Sequence, residues 1–147
     1  MQLNRFTDYA LRVMMHLATA NGRLMSTREI AAIHDAKYNH LAKVTQWLAN
    51  EGYIETIRGR SGGITLARQP DQISIGTLVR KLESQTALVE CMREDRGNCR
   101  LAAACGLAVV LKDAEESFFK TLDQVTLADV LKRQSGMFDL LLSMNAE

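Results

Sequence analysis

Between residues 53 and 67 the apolar spacing stops being helical and becomes alternating, and this change of period leaves few folds open to the chain. Tyr53-Ile-Glu-Thr-Ile57 and Ile64-Thr-Leu-Ala67 read as two short strands, with Arg58-Gly-Arg-Ser-Gly-Gly63 as a glycine-rich turn between them. Three helical stretches precede the hairpin. The first is expected from Thr7 or Asp8 to about Ala20, with Thr7 as its cap. Tyr9, Leu11, Val13, Met14, Leu17 and Ala18 form its apolar face, and Asn21-Gly22 ends it. Ser26-Thr-Arg-Glu29 has the pattern of a capping box ahead of Ile30, Ala31 and Ile33. After a break at His34-Asp35-Ala36, a third helix is expected to open at Asn39 as N-cap. It runs through Leu41, Val44, Trp47 and Leu48 to Asn50-Glu-Gly52. Helix, short turn, helix, hairpin is the order of a winged helix-turn-helix in a mainly α chain.

The rest of the chain returns to helical spacing. Pro70 makes a joint after the hairpin, and Ser74-Ile-Gly-Thr77 opens a helix through Leu78, Val79 and Leu82. A long helix is expected from Leu101 or Gly106 to Leu122. Leu107, Leu111, Ala114, Phe118 and Leu122 lie on one narrow stripe of it, the pattern of a helix-pairing seam. Thr126 caps a short helix from Leu127 to Lys132, and an apolar tail runs from Met137 to Met144. The chain thus divides into a winged helix-turn-helix DNA-binding domain over 1–82, a cysteine loop over 83–106, and a pairing helix with its tail over 107–147.

Composition permits an ordinary core: 47% of the 147 residues are hydrophobic and 24% charged, so no disulfide staples are required. The apolar runs are too short to span a bilayer, and Met1 to Asp8 lacks the apolar core of a signal peptide. A cytoplasmic location, with thiols kept reduced, is therefore expected. Charge is unevenly placed: residues 1–80 hold ten Lys and Arg against six Asp and Glu, and residues 81–147 hold eight against eleven. The front half suits a polyanion and the back half does not.

Side chains that could read nucleic acid follow from this order. His40, Lys43 and Gln46 fall on the face of the third helix opposite Leu41, Val44 and Leu48, where a recognition helix meets base edges and phosphates. Arg58 and Arg60 sit among glycines that allow close approach to a phosphate or a minor groove. Ser26, Asn39 and Ser61, short polar residues beside these, complete the candidate set.

All three cysteines lie in one polar stretch, Cys91, Cys99 and Cys105, spaced Cys-x7-Cys-x5-Cys. The intervening residues are too polar to pack three sulfurs, and an odd count argues against a disulfide framework. A thiol redox switch and a structural zinc remain open, although zinc lacks its usual CxxC spacing and a nearby histidine. Loop-borne thiolates with a foreign fourth ligand suit an iron–sulfur cluster best. His16, His34 and His40 lie far from the cysteines in sequence and read as packing or surface residues. No nucleophile motif, phosphate loop or paired carboxylates point to an enzyme. An electron carrier would have no use for a glycine–arginine wing.

Four segments together resemble the Rrf-type winged-helix iron–sulfur regulators over nearly the whole chain. They are Leu3-Asn-Arg-Phe-Thr-Asp-Tyr-Ala-Leu-Arg12, Asn39-His-Leu-Ala-Lys-Val44, Gly59-Arg-Ser-Gly-Gly63 and the cysteine stretch running into Cys105-Gly-Leu107. The resemblance implies a homodimer paired through the long helix, with Leu107, Leu111, Ala114, Phe118 and Leu122 at its interface. It also implies a cluster, [4Fe–4S] or else [2Fe–2S], held by Cys91, Cys99 and Cys105. In the nitric-oxide-sensitive members an aspartate early in the first helix of the other subunit completes the site, and Asp8 stands at that place. Members that answer to cluster supply instead use a histidine three residues after the last cysteine, where this chain has Ala108. The implied function is repression at a roughly palindromic double-stranded operator with nitric oxide as signal. The alternative is an iron–sulfur-status or redox- and oxygen-responsive regulator of the same family. The first cysteine gap is longer than is usual in such proteins.

Overall fold

The computed structural model describes residues 2–95, 97–134 and 136–146. Of the segments assigned above, Met1 of the amino-terminal domain, Arg96 of the cysteine loop, and Ser135 and Glu147 of the tail lie outside the described residues. Among the described residues the chain forms α1 (Arg5–Thr19), α2 (Thr27–Ile33), α3 (Tyr38–Asn50), β1 (Ile54–Ile57), β2 (Gly63–Leu66), α4 (Ile75–Leu82), α5 (Gly106–Asp123), α6 (Leu127–Arg133) and α7 (Met137–Ala146). It is a mainly helical winged helix-turn-helix followed by one long helix. No helix among the described residues is long and apolar enough to cross a membrane.

Local signals set most helix starts. Ser26 accepts from the Glu29 N–H while the Glu29 carboxylate accepts from the Ser26 N–H, closing the expected capping box. Ser74 caps α4 by accepting from the Thr77 N–H, and Thr126 closes a second capping box with Asp129 at the start of α6. Two caps differ from expectation. Asn4, not Thr7, caps α1, because the Asn4 side chain already accepts from the Thr7 N–H; Thr7 is one turn in and buried. Lys37, not Asn39, precedes α3, and it makes no side-chain cap. The turn closes instead through backbone: Asp35 takes a left-handed φ of 47° and the Ala36 N–H donates to the Ala31 carbonyl at 2.9 Å.

β1 and β2 pair antiparallel, with Ile54 opposite Leu66 and Ile57 opposite Gly63. Met25 adds a bridge to Ile64, with N–H to carbonyl distances of 3.1 and 2.8 Å, so the wing is tied to the start of α2. Met14, Met25, Ile30, Leu41, Leu48, Ile73, Leu78 and Leu127 are among the largest fully buried side chains. They come from α1 to α4, β2's neighbourhood and α6, so the core runs past residue 82 into the carboxyl-terminal helices. The Ile75 N–H donates to Val125 and the Leu127 N–H to Ile73, both at 2.9 Å, locking the start of α6 across the start of α4. Gly76 lies there against Asp123, where a Cβ would collide with it. Arg80 ties α4 to α5 through Glu116 and Asp123 and stacks 4.5 Å from the Phe119 ring.

Candidate nucleic-acid interface and metal centre

α3 is amphipathic. Leu41, Val44, Thr45 and Leu48 face the core, and Asn39, His40, Lys43 and Gln46 are all exposed on the other side. Two further residues of this face were not anticipated. Tyr38, in the first turn, is 47% exposed, and the Arg28 guanidinium of α2 sits 5.1 Å from its ring centroid. An aromatic outside the apolar spacing of α3, held under a cation from α2, was the available signal. Ser26 is exposed, but its hydroxyl is engaged in the α2 cap.

The wing turn presents Arg58, Arg60 and Ser61 to solvent. Gly59 has a φ of 118°, and the Gly62 N–H donates to the Gly59 carbonyl at 3.1 Å. A side chain at Gly59 would be strained, so the tight turn that projects both arginines depends on that glycine. Met25 bridges β2 to the start of α2, and β1 packs against α3.

The loop between α4 and α5 carries Cys91, Cys99 and Cys105 as free, half-buried thiols. Cys91 and Cys105 line one open hollow of about 620 Å³ together with Ala102, Ala108, Lys112 and Glu115; Cys99 is not in its lining. Among the described residues no three His, Cys, Asp or Glu side chains converge as a metal site. The donor chemistry nevertheless suits a thiolate-bound group, since three soft ligands sit unpaired on one loop. Asp8 faces a separate shallow hollow with Gln2, Leu3, Arg5 and Leu11. It is half exposed and paired with Arg12, whose Nη2 lies 2.8 Å from Oδ2 and whose Nε lies 3.1 Å from Oδ1.

A buried carboxylate at the base of the loop was also missed. Glu83, directly after α4, accepts from the Asn4 N–H at 2.9 Å and from the Thr7 hydroxyl. It thereby holds the first turn of α1, next to Asp8, against the root of the cysteine loop. Nothing local marks such a contact across 79 residues.

His16 and His34 are not isolated packing residues. His16 is fully buried, and its Nε2 lies 2.8 Å from His34 Nε2. Burial holds both imidazoles below the ordinary histidine range, and at His34 the neighbouring His16 and Arg12 push the same way. His40 is exposed on α3, apart from this pair.

The stripe on α5 divides. Phe118 and Leu122 pack partly against the chain's own core, while Ala114 is exposed and Leu111 is half buried. At the amino-terminal end Leu107, Val109 and Val110 are 64, 61 and 62% exposed, an apolar face with no cover in a single chain.

The chain is similar to known proteins in sequence and in fold. A family model described as Rrf2, iron-dependent transcriptional regulator, matches residues 3–133. The HTH-type transcriptional regulator NsrR of Halalkalibacterium halodurans is 42% identical over 142 residues, 96% of this chain and 97% of that protein. NsrR of Bacillus subtilis is 41% identical over 142 residues, again 96% of this chain and 97% of that protein. Among solved structures, T. potens IscR superposes with a TM-score of 0.71 at 25% identity, over 90% of this chain and 87% of that one. CymR, the global cysteine regulator of B. subtilis, gives a TM-score of 0.68 at 29% identity, over 92% of this chain and 99% of that one. Relatives that share both its length and its fold are regulators rather than enzymes, and on the match over residues 3–133 the chain belongs to the Rrf2 family of transcriptional regulators.

Proposed function

We propose that the protein is a homodimeric repressor that senses nitric oxide through an iron–sulfur cluster, [4Fe–4S] or [2Fe–2S], nitrosylation lowering its affinity for a roughly palindromic operator. The NsrR relatives, the exposed polar face of α3 and the arginine wing support the DNA-reading part. Two copies of α3 would enter successive major grooves, with Arg58 and Arg60 in the flanking minor grooves. The uncovered apolar end of α5 supports pairing of two copies along that helix.

Cys91, Cys99 and Cys105 would hold the cluster, with Asp8 of the partner subunit as the fourth ligand. When bound, the group would supply an iron open to nitric oxide where Asp8 serves as ligand, because carboxylate is a poor match for a soft, thiolate-rich site. The chain's own residues carry the consequence. Asp8 must leave Arg12 to serve as a ligand and returns to it on release. The observation that carries the reading is the Glu83 clamp, which joins the root of the thiol loop to Asn4 and Thr7 at the start of α1. α1 packs on α3 and β2, so a shift at the clamp reaches both DNA-reading elements. A difference of about 3 kcal/mol between the two states changes operator affinity on the order of a hundredfold.

The test is an anaerobic absorption titration with iron and sulfide analysis. A brown chromophore that bleaches with a few equivalents of nitric oxide, together with release of DNA, is expected. A chromophore indifferent to nitric oxide but lost in air replaces this reading with an oxygen- or cluster-supply regulator. A colourless zinc protein removes the cluster. For the wing, Arg60→Ala is expected to weaken binding across all sequences and to lower the slope of log affinity against log salt by about one. A salt titration with an unchanged slope takes Arg60 out of the interface.

A further inference from the structure

We propose that Asn145, near the end of α7, is a positioning residue for DNA reading: through the paired imidazoles of His16 and His34 it holds the α2–α3 turn that aims the recognition helix.

The geometry has one consistent polarity. The Thr19 hydroxyl donates to the His16 carbonyl at 2.9 Å, so its oxygen accepts from Asn145 Nδ2 at 3.0 Å. Nδ2 also donates to the His16 carbonyl at 3.3 Å. That fixes the amide, and Asn145 Oδ1 therefore accepts from His16 Nδ1–H at 2.6 Å. His16 Nε2 is then bare and accepts from His34 Nε2–H at 2.8 Å. His34 Nδ1 is bare in turn and faces Arg12 Nη1, an obligatory donor, at 3.5 Å. Thr19 at one end and Arg12 at the other impose the same tautomers on two neutral rings. His34 is the C-cap of α2, directly before the left-handed Asp35. The chain of bonds thus ends on the helix-turn-helix turn itself. Arg23, between α1 and α2, reinforces it by donating to the Asn145 carbonyl at 2.8 Å while pairing with Glu29 of α2 at 3.2 Å.

The charged groups around the rings are Asp8 and Arg12 of α1, Glu29 of α2 and Arg23. α6, also packed on α1, carries Lys132, Arg133 and Asp129, whose carboxylate is engaged in its own cap. A third proton on the pair has no acceptor: at His16 Nε2 it meets the His34 N–H, and at His34 Nδ1 it meets Arg12. Both rings titrate below the ordinary 6.5. The relay is therefore intact above that value and is lost as pH falls through the lowered pKa.

The experiment measures affinity of the full chain, from pH 5 to 8, for the DNA duplex that the wild-type protein selects from a random-sequence library. Asn145→Ala removes the three part-buried hydrogen bonds of this side chain, and is expected to weaken binding about fivefold at neutral pH and to flatten the acid fall. Asn145→Asp puts a carboxylate on His16 Nδ1–H, favours the imidazolium, and moves the acid fall to higher pH. Imidazole ¹⁵N spectra of the wild type are expected to show His16 protonated at Nδ1 and His34 at Nε2. Wild-type affinity and pH profile in both variants, or the opposite tautomers, overturn the proposal. So does an equal loss at every pH that tracks a lowered melting temperature. The inference rests on DNA reading by α3 and the wing and not on the cluster. Arg60→Ala run alongside loses affinity at every pH if that reading holds, so the two failures are distinguishable.

Discussion

Cys99→Ala protein loses tight operator binding, on the order of a hundredfold, while keeping its helical content. The side chain is half buried and does not line the hollow shared by Cys91 and Cys105, so its removal costs little packing. Any large effect must come from the ligand set. In the proposed ligand set, two thiolates and the partner carboxylate would hold a soft group far less well than three thiolates and that carboxylate, and the variant is expected to purify without stoichiometric iron and sulfide. Without the group, Asp8 stays on Arg12, and the tie from the loop through Glu83 to α1 relaxes to its cluster-free setting. Iron and sulfide content, circular dichroism and fluorescence anisotropy with labelled operator together decide the matter. Tight binding by folded, iron-free Cys99→Ala sinks the idea that the cluster sets DNA affinity. Serine at the same position is expected to behave like alanine, since an alkoxide is a hard ligand.

Leu48→Ala has the largest expected effect on stability, about 2–5 kcal/mol out of a total of roughly 5–15 for a domain of this size. Leu48 is fully buried in the last turn of α3, and its carbonyl accepts from the Tyr53 N–H at 2.9 Å, where the chain leaves the helix for the wing. Truncation opens a cavity at this joint, between α3 and the hairpin, which cannot collapse without moving one of them. Urea unfolding is expected to show a lower midpoint with an unchanged slope. Gln46→Ala, two residues away on the exposed face, is expected to stay within about 0.5 kcal/mol of the parent. A loss below about 1 kcal/mol for Leu48→Ala would mean that α3 is not anchored through this side chain.

Much of the helix-turn-helix and its hairpin was legible in the sequence, because their signals are local. The Ser26–Glu29 box, the Ser74 and Thr126 caps and the glycine-rich turn each act within a few residues. The alternation over 53–57 and 64–67 states its own period. The same locality explains the two wrong caps. Thr7 and Asn39 are both good cap residues, but one helix begins a turn earlier, at Asn4, and the other is started by the backbone of the Asp35 turn. Tyr38 and Arg28 were missed because an exposed aromatic has no periodic signature. The thiol loop was legible as chemistry and not as geometry: spacing names Cys91, Cys99 and Cys105 as donors but does not say which of them share a hollow.

The sequence by itself determined the order of helices, the hairpin, the exposed face of α3, and a thiol set suited to a soft metal group. These follow from periodicity, capping and donor type, which operate over one or two turns of chain. Only the tertiary structure decided that Glu83 clamps the start of α1, that Phe118 and Leu122 serve the chain's own core while Leu107 stays uncovered, and that Asn145 reaches His16 across 129 residues. The reason is desolvation. A polar group taken out of water must find a partner wherever packing brings one, and which distant side chain arrives is settled by how the helices stack rather than by neighbouring sequence.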